Sequence, residues 1–292
     1  MKSEKIGIVT VLYKSEIVLD DFFNTLNEQS YKNFTLYVID NKSPDNSLEK
    51  SKMLAKSVWF ETKFIENDDN YGVAKGNNQG IEAALQDDCD YVLLSNNDVV
   101  LRPETIEKLF TGLKENNVDM AVPKIYFYGT NKIWAAGGKF TWYNGSAKHF
   151  GYNKNDNGYF NRNSIIDYSP TCFMLIKKEV FCTVGMMDEK YFVYYDDTDF
   201  LYRSKNKNKK VMYIFNSILE HKESTSTGNR SDFTIYFNIR NRIYFSKKYR
   251  RDFLLFYYIN IIYHFSIRRI KMFKNKNQWQ LMIKAMKDGF LL

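Results

Sequence analysis

The sequence predicts an α/β fold built on a mostly parallel central sheet with helices on both faces. Three observations carry that expectation. Apolar runs of strand length recur at residues 6–12, 34–39, 59–65 and 91–94. Segments of helical length separate them, at 17–28, 47–56, 73–85 and 103–116. Strands alternating with helices build βαβ units, and those units close into parallel sheets. The chain has 292 residues, is 44% hydrophobic and carries only 14 Gly and 4 Pro, so it can bury a large core and is not low-complexity disorder. It shows no internal repeat.

Taken in order, each element has a local reason. The run at 6–13 is too short for a signal segment and reads as a first buried strand. Asp40-Asn41 ends the second run, and residues 40–45 (DNKSPD) have turn chemistry. Residues 70–80 (NYGVAKGNNQG) bring Gly72, Gly76 and Gly80 to a helix start near Val73, where backbone could approach an anionic ligand. The fourth run ends in Asn96-Asn97-Asp98. Pro103 fits the first turn of the next helix, with Glu104 and Glu107 near its positive end. After about Asp119 short runs with Gly and aromatics replace the alternation, which predicts hairpins, loops and a mixed extension of the sheet. An apolar run at 214–219 precedes His221, and from Asp232 onward the chain is helical, basic and aromatic.

Charge is uneven. From Tyr202 to the end there are 20 Lys and Arg against 5 Asp and Glu, while the rest of the chain is mildly acidic. Residues 253–267 are mostly apolar but too few to span a bilayer, which takes roughly 20 residues. Basic groups flank them: Lys247, Lys248, Arg250 and Arg251 before, Arg268, Arg269 and Lys271 after. That pattern predicts an interfacial helix on an anionic membrane surface, or else a buried helix of a C-terminal subdomain. Three scattered cysteines, Cys89, Cys172 and Cys182, argue for a reducing compartment and against a zinc site.

Ligands of an open parallel sheet bind outside the carboxyl ends of its strands. Asp40-Asn41, residues 67–70 and Asn96–Asp98 all fall there. Asp98 is a hard oxygen donor suited to Mg²⁺ or Mn²⁺. The second acidic cluster, Asp196-Asp197-Thr198-Asp199, follows the aromatic run YFVYY at 191–195. Three carboxylates within four residues repel, so at least one pKa should rise unless cations intervene, and a raised carboxylate suits a general base. The aromatic run should hold that turn against the core. His221 is either a structural histidine or a further metal donor.

Together these segments resemble the inverting family 2 glycosyltransferases with the GT-A fold, in particular their bacterial rhamnosyltransferase-like branch. The matching pieces run in the family's order: IVTVLYKSE at 8–16, VIDNKSPDNS at 38–47, NDDNYGVAKGNNQGI at 67–81, YVLLSNNDV at 91–99, AAGG at 135–138, GMMDEKYFVYYDDTDFLYR at 185–203, ILEH at 218–221 and FNIRNRIYF at 237–245. The resemblance implies a nucleotide-diphosphate sugar donor. Thr10 and Tyr13 would lie against the nucleotide. Asp40 would bind the base with Asn41 beside it. Asn70, Lys75 and Asn77 would lie near the nucleotide and its phosphates. Asp98 matches the last residue of the metal motif, with Asn96 and Asn97 where other members carry Asp. His221 matches a histidine that ligates the metal in some relatives. Asp197 would be the catalytic base, with Asp196 and Asp199 supporting it or meeting the acceptor. The implied cofactor is Mn²⁺ or Mg²⁺, and the implied acceptor a glycan or lipid-linked saccharide in surface polysaccharide synthesis.

On this reading residues 1–230 form the catalytic domain, with a nucleotide-binding half (1–118) and an acceptor-binding half (119–230), and 231–292 form the basic extension. The protein would be cytoplasmic and peripheral on the inner face of the cell membrane, with no nucleic-acid partner. The rival readings are a nucleotidyltransferase-like enzyme on a similar sheet, disfavoured because no Gly-rich loop follows the first strand, and a basic nucleic-acid-binding protein, disfavoured by the acidic body.

Overall fold

The computed structural model describes residues 4–141, 145–222, 231–249 and 276–292. Four parallel strands form one half of the central sheet in the order β3 (Glu61–Glu66), β2 (Phe34–Asp40), β1 (Ile6–Leu12), β4 (Tyr91–Ser95). Helices α1 (Leu19–Asn27), α2 (Ser47–Ala55) and α3 (Gly72–Gln86) connect them. Alternate strand residues enter different cores. Val9, Tyr37, Ile39, Val92 and Leu94 pack with Ala74, Ile81 and Ala84 of α3. Ile6, Ile8, Leu36, Val38 and Leu93 pack with Phe22, Phe23 and Leu26 of α1 and with Ile106, Leu109 and Leu113 of α4 (Thr105–Glu115). Both faces of β1, β2 and β4 are covered, which is why these three read as near-continuous apolar runs, while β3 at the sheet edge is only partly buried.

Beyond β4 the sheet becomes mixed. Strand β12 (Phe173–Lys177) pairs antiparallel with β4 and with β6 (Met120–Phe127). Strand β13 (Val211–His221) runs parallel to β6 and antiparallel to both β5 (Val99–Leu101) and β11 (Ser164–Ile166). Strands β7 (Lys132–Ala135) and β10 (Lys154–Asn155) extend the sheet beside β6, and β8 (Gly138–Thr141) with β9 (Ser146–His149) forms a separate hairpin. This is the GT-A arrangement expected from the sequence. A buried ion pair, Lys124 to Asp156 at 2.7 Å, ties β6 to the loop after β10, and Tyr126 also donates to Asp156.

Several boundaries differ from the sequence reading. The third strand begins at Glu61, because Trp59 and Phe60 pack edge-on against each other and against Phe34 at the sheet's lower end. Helix α4 begins at Thr105 rather than at Pro103. Residues 102–105 form a turn in which the Thr105 hydroxyl accepts from the Arg102 amide, and the Pro103 carbonyl accepts from Ser30.

After β12 come α5 (Lys178–Val184), a single 3₁₀ turn (Glu189–Tyr191) and α6 (Asp196–Asn206). Helix α7 (Asp232–Lys248) starts at a Ser231 cap that accepts from Thr234, and α8 (Lys276–Leu291) packs on it through Ile239, Ile243, Met282, Ala285 and Met286. The interfacial helix expected at 253–267, with Arg250, Arg251, Arg268, Arg269 and Lys271, lies outside the described residues. Among the described residues no helix is long and apolar enough to cross a membrane. Two of the flanking cations are engaged within the protein. Lys247 reaches the Phe290 carbonyl, and Lys248 turns inward to Asp188 and Asp199.

Candidate active site

A cleft of about 420 Å³ opens at the carboxyl ends of β1, β2 and β4. Its wall includes Val11 of β1 with Tyr13 and Lys14 after it, Asn41 after β2, and Ser95 of β4 with Asn96, Asn97 and Asp98 after it. Asn70, Gly72, Val73 and Asn77 close it from the start of α3, and Phe192, Val193, Ser231 and Phe233 from the C-terminal half. The three strand-end features picked out in the sequence therefore meet at one place. Amides tie them together. Asn41 donates to the Gly72 carbonyl (2.9 Å) and accepts from Asn67 (2.9 Å), while Asn97 donates to the Val11 carbonyl (2.8 Å).

Other expected contacts sit off the cleft wall. Asp40 is buried, and its carboxylate accepts from the Ser43 amide at 3.2 Å, so it closes the turn after β2. Thr10 is buried within β1, and Lys75 lies over the Tyr71 ring at 3.9 Å. The glycines of α3 divide by role. A Cβ on Gly76 or Gly80 would strike Val11 or Val9, so these two seat the helix on the sheet rather than approach a ligand. Gly72 lies at the cleft with φ +83°, and a Cβ there would stand 2.4 Å from the Phe192 carbonyl oxygen. The first amides of α3 do not face an open anion site, because Gly72 donates to Asn70 and Val73 to Phe192 (2.6 Å).

Asp98 is mostly buried, and its carboxylate lies 3.1 Å from Nε2 of His221, at the end of β13. The antiparallel pairing of β13 with β5, in which His221 opposes Val99, sets this approach across 123 residues of chain. Nδ1 of His221 is buried with no hydrogen-bond partner, and the ring rests edge-on against Trp134 at 4.5 Å. One carboxylate and one imidazole are donors that would suit a divalent ion such as Mn²⁺, with its other ligands supplied from outside these two residues. Among the described residues no group of three His, Cys, Asp or Glu side chains is placed to hold such an ion alone.

The second acidic cluster opens α6. Burial, together with the neighbouring Asp197 charge, pushes the Asp196 carboxyl well above its ordinary range. Burial also raises Asp197, against hydrogen bonds from Tyr168 (2.7 Å) and from the backbone and hydroxyl of Thr198. Asp199 is fully buried yet well satisfied. It accepts from Lys248 (2.7 Å), Arg203 (2.7 Å), Tyr249 (2.8 Å) and Tyr191 (3.2 Å). Asp199 thus anchors α6 and has little capacity left for an acceptor, whereas no Lys or Arg among the described residues forms an ion pair with Asp197. The aromatic run holds the turn as expected, with Tyr191 and Tyr195 buried.

Asp98 is on the cleft wall, whereas Asp196, Asp197 and Asp199 are not among the residues that line it; Phe192 and Val193, which precede them in the chain, are. The Cys172 thiol is held up by burial, then by the charges of both Asp98 and Asp197, and its backbone carbonyl accepts from the Asn96 amide at 2.8 Å. A ring path also links them: His221 to Trp134, Trp134 to His149 (5.0 Å), His149 to Tyr168 (5.7 Å), and Tyr168 to Asp197. Tyr168, His149 and Trp134 carry no marker in the sequence. The hairpin β8–β9 and the bridge of Gly138 to Tyr168 bring His149 and Tyr168 here, and β7 carries Trp134.

A family model described as glycosyl transferase family 2 matches residues 7–185, more than half of the chain. The protein belongs to glycosyl transferase family 2. Its similarity to individual members is low but extensive. It is 23% identical over 243 residues to the low-salt glycan biosynthesis hexosyltransferase Agl10 of Haloferax volcanii, covering 82% of this chain and 74% of that one. It is 23% identical over 240 residues to the glycosyltransferase GlyG of Streptococcus pneumoniae, covering 80% and 75%. With the dTDP-rhamnosyl transferase RfbF of Shigella flexneri it shares 27% over 211 residues, 70% of this chain and 64% of that one. Among solved structures, S. aureus TarS 1-349 in complex with UDP-GlcNAc superposes with a TM-score of 0.62 at 15% identity, covering 98% of this chain and 80% of TarS. That likeness is one of fold. This glycosyltransferase therefore carries the family's sheet, with the cleft at its strand ends.

Proposed function

We propose that this glycosyltransferase moves a sugar, with inversion, from a nucleotide-diphosphate sugar to a hydroxyl of a glycan or lipid-linked saccharide. The observation that carries the reading is the cleft at the carboxyl ends of β1, β2 and β4, with Asp98 and the side chains of Asn41, Asn96 and Asn97 on its wall, in a chain of glycosyl transferase family 2. The cleft is of a size for a small ligand. The UDP and UDP-GlcNAc complexes of TarS support a nucleotide-sugar donor, and the name of RfbF keeps dTDP-rhamnose beside the UDP-hexoses.

In the proposed reaction the nucleotide lies along Val11, Tyr13, Asn41 and Asn97, with Asn70 and Asn77 at the entrance of α3. Asp98 and His221 would hold a divalent ion. That ion would supply positive charge against the departing diphosphate. Asp197 takes the proton of the acceptor hydroxyl, whose oxygen attacks the anomeric carbon on the face opposite the leaving group. A single displacement inverts that centre without a covalent enzyme intermediate. Tyr168 and Thr198 fix the base by donating to its two oxygens. The raised pKa suits the step, because a more basic carboxylate takes the proton more readily.

The direct test is a donor panel of UDP-glucose, UDP-N-acetylglucosamine and dTDP-rhamnose, with and without Mn²⁺, read as nucleotide release and thermal shift. Turnover of one donor, dependent on the ion and abolished in Asp98→Ala, is the expected result. No binding and no turnover of any donor would overturn the proposal. Membrane attachment through the basic tail belongs to the same proposal and is tested by flotation with anionic vesicles; absence of binding would remove it.

A further inference from the structure

The segment between the 3₁₀ turn and α6 has an unusual backbone. Phe192, Tyr194 and Tyr195 all have positive φ, at 62°, 63° and 70°, and none is glycine. Phe192, with ψ −60°, is the centre of a γ-turn closed by the Val193 amide on the Tyr191 carbonyl at 2.7 Å. That turn is rare and strained, and such a run persists only where its surroundings hold it. The segment has two ends of consequence. Phe192 and Val193 line the donor cleft, and two residues after Tyr195 comes Asp197.

Three of its carbonyls are held by one amide from α7. Asn241 is fully buried, and its Nδ2 donates to the carbonyls of Val193 (2.7 Å), Tyr194 (2.8 Å) and Tyr191 (2.9 Å). Two N–H groups thus serve three carbonyls that the positive-φ turn leaves pointing inward. Arg240 orients this amide by donating to its oxygen (2.9 Å) and reaches the Lys190 carbonyl (2.7 Å), while Arg242 donates to the Tyr195 hydroxyl (2.8 Å).

We propose that Asn241 is a positioning residue of the transfer reaction: by clamping residues 191–195 from the C-terminal helix, it sets the base at Asp197 against the donor cleft. This rests on the assignment of Asp197 as the base. It makes α7 part of the catalytic apparatus, with Ser231 and Phe233 on the cleft wall, Asn241 on the loop, and Lys248 and Tyr249 on Asp199. Misplacing a reacting group by about 1 Å can cost about 10²-fold in rate, so loss of the clamp should appear in kcat.

The experiment compares Asn241→Ala, Met286→Ala and Asp197→Asn with the wild type. Met286 packs α8 on α7 in a cluster that includes none of residues 191–195, so its variant controls for general destabilisation. UDP and dTDP affinities are measured by calorimetry. kcat is measured as nucleotide release from UDP-glucose, UDP-N-acetylglucosamine and dTDP-rhamnose, alongside Tm and the pH profile. Asn241→Ala is expected to lower kcat about 10²-fold with nucleotide affinity within about 3-fold. Its acidic limb is expected to move to lower pH, as water reaches Asp197 through the loosened loop. Met286→Ala should lower Tm while kcat stays within about 2-fold. Should Asn241→Ala not fold, Arg240→Met, at a partly exposed site, serves in its place with an expected loss of about 10-fold. A kcat for the clamp variant equal to that of Met286→Ala, with an unmoved acidic limb, would overturn the proposal while leaving the base assignment intact if Asp197→Asn is inactive. Full activity of Asp197→Asn would instead remove the base assignment.

Discussion

Replacing Lys248 by Met keeps the apolar stem and deletes the charge at the junction of α7 with the catalytic body. Its ammonium lies 2.7 Å from the fully buried Asp199 and 2.8 Å from Asp188. Breaking a buried ion pair from one side typically costs about 3–5 kcal/mol, because the remaining charge is left unpaired. Asp199 keeps Arg203, Tyr249 and Tyr191 as donors, and the Lys248 side chain is 27% exposed, so the cost here should be nearer that of one charged hydrogen bond, about 1.5–3 kcal/mol. At about 2–4 °C per kcal/mol for a domain of this size, Tm should fall by about 3–12 °C. A double-mutant cycle of Lys248→Met with Asp199→Asn, followed by thermal and urea unfolding, isolates the pair. Distant sites add to within about 0.5 kcal/mol, so a coupling of about 1 kcal/mol or more is expected. Additive effects, with Tm unchanged in Lys248→Met, would refute the claim that α7 is locked onto α6 through this charge.

Three further outcomes follow from the same geometry. Because burial raises the Asp197 carboxyl and the base must be ionised, kcat/KM should fall with decreasing pH along a limb lying above the ordinary carboxylate pKa of about 4; a limb at or below that value would contradict the desolvated base. Asp196 is also raised by burial, so the folded state binds a proton more tightly than the unfolded chain and stability declines as pH rises past the unfolded pKa. Asp196→Asn should therefore raise Tm at pH 7.5 and lose that advantage near pH 4, which a pH series of melting curves would check. Gly72→Ala places a methyl group against the Phe192 carbonyl at a φ of +83°; it should cost about 1–3 kcal/mol and weaken UDP binding, measured by calorimetry, and wild-type affinity would refute the close approach.

How much was legible beforehand depended on how local the cause was. The parallel half of the sheet could be read almost residue by residue, because strands buried on both faces must be apolar throughout and the helices between them must show one apolar face. The convergence of Asn41, Asn70 and Asn96–Asp98 followed from the rule that strand ends gather at one edge. The roles of Gly76 and Gly80 were misread, since a glycine that admits a ligand and one that admits a neighbouring strand look alike in sequence. The start of α4 was placed two residues early, because a Thr105 side chain bond to Arg102 competes with the Pro103 signal.

By itself, the sequence determined the alternation of strands and helices, the two acidic spots and their order along the chain, and the basic character of the C-terminal third. Those are properties of periodicity and composition, which act over a few residues. Only the tertiary structure decided that Asp199 is paired with Lys248, that Tyr168 donates to Asp197, and that Asn241 holds the strained turn before it. Each of these joins groups far apart in the chain, and their proximity is set by strand pairing and helix packing rather than by any local preference.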